Sequence, residues 1–573
     1  MLEPIPDIGP VSGFKRPRSD SLESLDLDHI LAPELSTSRT SACRDSATSA
    51  LPPPRLRADA PSPTVDSFDH TAGLSSAAPP AEPLPPAQPT IHRPGSILSI
   101  SSHQWTPDLA AKRTNAIKNY FVKKFHITDE EASELFDTDP SLPEDFEHGT
   151  DFSWIVTDLL IDRSIAPSKF LELRRMLRDQ RRDCRVIKHA NPVSDPPLFN
   201  WPEHLTTTAR VRRAHTYTSY ASIQGSNAAR VESITARLDG HTLFTHMASY
   251  NMPRPTIMHF QLRHTLAAVD TSHVYYNEKD AISCLDLNTG ESTPFMSTNL
   301  IKPTSVAANS DYLVTGGFFG HYSIKPVPTR YGRSATPVHQ GVITYDRENI
   351  TNYVEALKDF AVFSSNDCHV RTLDVTTNSF VSDYEYEWAM NCVATHGKSQ
   401  LLVGDSRETL WTDASSGKII SRIQGHWDYS FAAAWSPDGR YCATGNQDMT
   451  CRIYDSRRIS EPLAVIPTQI GACRSLKFDP TGTFLAVAEP VDHVHIVDVR
   501  TLAGTCTSGR QPPSLIGGHT LNFWGEVTGI DWLESHNEAS LVIGNSDRLT
   551  GGIMRYKRSF NSLEALDQLL DST

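Results

Sequence analysis

No run of 18 or more apolar residues occurs in the 573-residue chain, so nothing in it reads as a membrane-spanning helix. The amino-terminal MLEPIPDIGP lacks the charged region and the apolar core of a secretory signal. Cysteine is sparse: nine residues, at 43, 184, 284, 368, 392, 442, 451, 473 and 506, with no C-x-x-C pair among them. An odd, scattered set of this kind suggests neither a disulfide framework nor a zinc site and fits a reducing compartment. Basic residues are outnumbered, 53 against 67, for a net charge of -14. That balance argues against a protein whose main task is neutralising nucleic-acid phosphates. The expectation is a soluble protein of the cytoplasm, the nucleus or both, with no membrane partner.

Apolar residues are unevenly spread. Residues 1–100 hold 17 of the 39 prolines, while tryptophan and most phenylalanine lie further on. Stretches such as LPPPRLRADAPSP cannot offset the entropy of ordering, so 1–100 reads as a disordered Pro/Ser/Ala-rich tail. Within it, Lys15-Arg16-Pro17-Arg18 beside Ser19 and Ser21 has the makings of an import signal next to phosphorylation sites, and Ser62-Pro63 adds another such site.

Helical periodicity marks 101–195. Ile117, Tyr120, Phe121 and Phe125 recur at spacings of three and four, and Thr128 with Glu131 forms a capping box. In a helix at about 167–184, Arg174, Arg175, Arg178, Arg181 and Arg182 crowd one face opposite Phe170, Leu173, Met176 and Leu177. That basic surface is a candidate for RNA or an acidic partner, against the plainer reading of a solvated helix face.

From 200 to 560 short strand-like runs separated by turns take over. The turns Pro437-Asp438-Gly439 and Pro480-Thr481-Gly482 lie 43 residues apart, each between an aromatic-containing strand and a second strand. A period of about 40–45 residues with four short strands is that of a propeller blade. Starts near 257, 300, 351, 388, 425, 467 and 519 count to seven blades, with six or eight as the alternatives where degenerate repeats blur the count, and residues 215–250 are a candidate ring-closing strand. The last residues, 561–573, read as an amphipathic tail carrying Leu563, Leu566, Leu569 and Leu570.

The stretch GHWDYSFAAAWSPDGRYCATGNQDMTCRIYD at 425–455 carries His426, Ser430, Thr444 and Asp448 together. These are the side-chain types of a hydrolase triad, yet no G-x-S-x-G lies nearby and a nucleophile would have to face a cleft. As a unit the stretch resembles the WD40 (transducin-like) repeat. The resemblance implies an all-β propeller in which His426, Thr444 and Asp448 form a hydrogen-bonded network inside a blade, with Tyr454 in the place usually held by tryptophan. MHFQLRHTLAAVD, SSNDCHVRTLD and AEPVDHVHIVD extend the likeness, over about 250–560, to a group of fungal and plant WD-repeat proteins.

Because a propeller hosts many activities, function has to come from its surfaces. The expectation is a non-catalytic scaffold that binds other proteins through its rims, without metal or cofactor. His493 and His495 alternate on one strand, but two histidines alone make a weak metal site. A sharper alternative rests on Arg457 and Arg500, each two residues after a blade-closing aspartate. They resemble the box by which some WD-repeat substrate receptors dock on the adaptor of cullin-4 ubiquitin ligases.

Overall fold

A computed structural model describes Val186–Ile187 and, with short gaps, residues 210–559. The tail 1–100, the five arginines between 174 and 182 and the segment 561–573 lie outside the described residues.

Short apolar runs buried almost throughout on the inner and middle strands, with more exposed outer strands and Gly and Asp turns between them, give antiparallel four-stranded sheets spanning 266–297, 303–342, 351–385, 390–423 and 430–467. The turn at Pro437-Asp438-Gly439 shows how local the instruction is. Asp438 accepts from the Ser436 hydroxyl (2.6 Å) and the Arg440 amide (3.0 Å), and Gly439 supplies the φ of 68° that reverses the chain.

Two further blades share one strand. Gly518–Leu533 pairs through its first half with Val491–Asp498 and through its second half with Ser540–Asn545. The outer strand of this last blade comes from the start of the domain: Phe244–Tyr250 pairs with Gly552–Arg558. Among the described residues five sheets and this double sheet make seven blades, and 244–250 is the part of the expected 215–250 segment that closes the ring. Val186–Ile187 adds a short edge to the same strand.

The innermost strands, beginning at Leu266, Pro303, Thr351, Met390, Ser430, Ser475 and the second half of Gly518–Leu533, each neighbour the next, and the seventh returns to the first. Indole N–H groups tie some of these neighbours: Trp435 donates to Ala394 O at 3.1 Å and Trp532 to Lys477 O at 2.9 Å. The core is a series of apolar clusters at the seams. Leu485, Val487 and Val497 meet Ala443 and Ile453 at one seam, and Phe244, Phe484 and Trp532 meet at another. Each fully buried aliphatic side chain there contributes about 1.5–3 kcal/mol.

Gly518-His519 does not introduce a blade as Gly425-His426 does. The pair opens an outer strand, His519 opposite Ile496, and the His519 ring accepts the Phe244 amide at 3.3 Å. Among the described residues no helix is long and apolar enough to cross a membrane.

Candidate functional site

His426 lies in the loop before an innermost strand, Thr444 on the second strand and Asp448 in the turn before the third. Folding the blade brings the three together: His426 Nδ1 is 3.0 Å from Asp448 Oδ2, and Nε2 is 2.9 Å from Thr444 Oγ1. Asp448 also accepts the Trp427 amide (2.9 Å) and the Thr450 amide and hydroxyl (3.0 and 2.6 Å). Burial lowers the His426 pKa below its ordinary value, outweighing Asp448. Burial alone would raise Asp448, but His426, Thr450 and the amides outweigh it and hold the carboxyl at about 2. A neutral imidazole beside an ionised carboxylate fixes the tautomer: Nδ1–H donates to Asp448 and Nε2 accepts from Thr444. Tyr454 is buried on the third strand, its phenol pushed up to about 12 by burial, with Arg452 and Thr444 as polar neighbours. Ser430 is fully buried and its hydroxyl accepts from Asn446 at 2.8 Å. His426, Ser430, Thr444 and Asp448 are all buried, and His426 is directed at Asp448 and Thr444 rather than at Ser430.

His493 and His495 bond within their own sheet, to Asn522 and Thr520, both at 2.9 Å. His495 Nε2 also meets Glu489 at 2.7 Å, and Glu489 accepts the amides of Gln469, Ile470 and Gly471. Glu489 thus clamps the loop entering its blade much as Asp448 clamps Trp427. Among the described residues no group of three His, Cys, Asp or Glu is arranged to hold a metal ion.

Arg457 and Arg500 sit in equivalent loops after the third strand of adjacent blades, 73% and 56% exposed. Each guanidinium folds back on the aspartate two residues before it. Arg457 Nε is 2.8 Å from Asp455, and Arg500 Nε is 2.9 Å from Asp498, with Nη2 taking the second oxygen in both.

The opposite face holds features that the sequence did not single out. Loops before the innermost strands and turns between second and third strands gather here around the channel mouth, and a strap whose described residues include Arg213, Tyr217 and 219–226 lies against them. Arg213 forms a two-pronged pair with Asp492 (2.7 and 3.2 Å), which also accepts the Gly525 amide. Asp428 accepts the amides of Ser222 and Ile223 and the Ser226 hydroxyl at 2.7 Å. Tyr220 receives bonds from Gln261 on its hydroxyl and Gln447 on its carbonyl. From Tyr220 a file of rings runs outward: Phe260 at 5.7 Å, His259 a further 4.9 Å, then Phe318 at 5.8 Å and Phe319 at 6.5 Å. Phe260 and Phe319 are each 48% exposed.

Deeper in the channel, one level of the innermost strands carries alanine in four blades, at 267, 307, 394 and 434, and charge in three, at Glu355, Lys477 and Asp531. Glu355 accepts the Thr395 amide and Asp531 the Ala268 amide, both at 2.9 Å, the same bond to the next blade made twice.

Seven four-stranded blades in a closed ring define a β-propeller. Residues 417–455 match the family described as WD domain, G-beta repeat, and 471–511 match an uncharacterised protein domain, DUF2415. The chain thus carries a WD repeat at 417–455. It is similar to Coronin-7 of Bos taurus, 44% identical over 63 residues, which cover 11% of this chain and 7% of that one. Coronin-7 of Rattus norvegicus is 44% identical over 54 residues, 9% and 6% of the two chains. The matches therefore span a small fraction of those relatives' length. The WD40 beta propeller domain of Doa1 aligns with a TM-score of 0.40 at 14% identity, covering 58% of this chain and 98% of that one.

Proposed function

We propose that the protein is a non-catalytic scaffold of an intracellular complex and that it grips a partner on the channel-mouth face. WD-repeat propellers generally hold other proteins, and the reading for this chain is carried by the ring file from Tyr220 to Phe319. Half-exposed aromatic side chains beside buried cations are the composition of an interface hot spot. Lys302, with its ammonium 5.7 Å over Phe319, extends the positive rim and favours an acidic partner segment.

The ligase-receptor reading puts the contact on the other face. Arg457 and Arg500 would have to leave their aspartates to bind an adaptor, and exposed pairs of this kind contribute little, so the same experiment tests both. Full-length protein is used to capture partners from native lysate beside a Phe260→Ser, Phe319→Ser variant and an Arg457→Glu, Arg500→Glu variant, each checked for folding. The scaffold reading expects the same partners with the parent and the arginine variant and their loss with the phenylalanine variant. Loss with the arginine variant alone, together with a cullin-4 adaptor in the parent sample, would establish the ligase reading instead. A third reading, RNA binding through Arg174 to Arg182, predicts capture that falls steeply with salt.

A further inference from the structure

Arg474 is 3% exposed at the channel mouth, at the end of an innermost strand under the strap. Its guanidinium carbon lies 4.1 Å over the Phe431 ring and 5.4 Å over the Tyr220 ring. Nη2 donates to the Gln447 amide oxygen, whereas Nε and Nη1 are buried and have no hydrogen-bond partner. No carboxylate pairs with it among the described residues. Arg263, 4% exposed, is close enough to act on Arg474 electrostatically. It pairs with Glu526 at 3.2 Å and donates to two carbonyls, but its Nε also has no partner.

A buried guanidinium without a counter-charge is expensive, and orphaned N–H donors add to the cost. The neighbouring charges do not remove it. Glu526 is taken by Arg263, Glu489 by His495 and three amides, and Asp492 by Arg213. The Phe431 and Tyr220 rings lie against the guanidinium but supply no acceptor oxygen for its open N–H groups. The open donors sit on different edges, so a ligand that satisfies both must present more than one acceptor oxygen and carry negative charge. We propose that Arg474, with Arg263 as second wall, forms an oxyanion-binding site at the channel mouth that takes a phosphate or carboxylate group. This site is independent of the exposed phenylalanines and stands whether or not a protein docks there.

The test is thermal unfolding of the full chain at constant ionic strength, with chloride replaced stepwise by inorganic phosphate in one arm and by acetate in another. The expected result is a saturable rise of several degrees in Tm in at least one arm. Arg474→Met should abolish that rise, while Arg457→Gln on the far face should keep it. Arg474→Lys, which retains the charge but not the planar fork, should raise the half-saturating concentration about tenfold and serves if the methionine variant does not fold. A response to phosphate alone names a phosphate ligand, and a response to acetate alone names a carboxylate. No rise over chloride in either arm, or an equal rise in the parent and the Arg474 variants, would overturn the proposal.

Discussion

The protonation of a titratable side chain inside this propeller is set by the balance between burial and its hydrogen-bonding and charged neighbours. His426 and Asp448 satisfy one another and their blade's backbone. Glu489 is held by three amides and an imidazole. Glu355 has less help. One oxygen accepts the Thr395 amide, while Oε2 is enclosed without a partner, and burial pushes the carboxyl up to about 7 from an ordinary 4.5. The folded chain therefore retains a proton that the unfolded chain releases between pH 4.5 and 7. Its stabilising contribution is complete below 4.5 and is lost as pH rises through 7. Glu355→Gln keeps the acceptor and removes the titration, so the variant should match the parent near pH 4.5 and exceed it at pH 8 by about 3 kcal/mol. Urea unfolding at the two pH values checks this, and an unchanged difference between them would contradict it. At this scale His426, Thr444 and Asp448 were legible because all three fall within one repeat. Asp428 and Asp492 were not, since their partners Ser226 and Arg213 lie 202 and 279 residues away in sequence.

Among the elements, the second strands, third strands and hairpin turns were readable as short strand-like runs between Gly- and Asp-containing turns, and their period gave the blade count. The double strand Gly518–Leu533 was harder to read. It passes from one blade to the next with no turn to mark the change, so Gly518-His519 looked like a blade entry. The closing strand lacks the repeat's motifs and is identified by its pairing with Gly552–Arg558. Besides its backbone pairing, it is anchored by Phe244, 1% exposed, with ring centroids 5.2 Å from Phe484 and 5.6 Å from Trp532 across the seam of the last two blades. Phe244→Ala should cost about 3–5 kcal/mol in denaturant unfolding. It should also speed hydrogen exchange in 552–558 more than in 360–374. A cost under about 1 kcal/mol with unchanged exchange would mean that the ring is closed by something else.

Across the whole molecule the two faces differ in chemistry. One presents short loops whose exposed arginines are already paired with their own aspartates. The other presents a file of aromatic rings, a strap pinned by a buried ion pair and by hydrogen bonds to the buried Asp428, and a buried cation without a counter-charge. A face with half-exposed rings over desolvated charge offers a partner more binding energy than a rim of solvated pairs. That contrast is the central claim, and it was not visible in the sequence, where Tyr220, Phe260 and Phe319 belong to no shared motif. The most direct test is the hydrogen-exchange footprint of a captured partner on the full-length chain. Protection over 252–261 and 317–320 is the predicted result; protection confined to 455–458 and 499–502 would place the partner on the opposite face and contradict it.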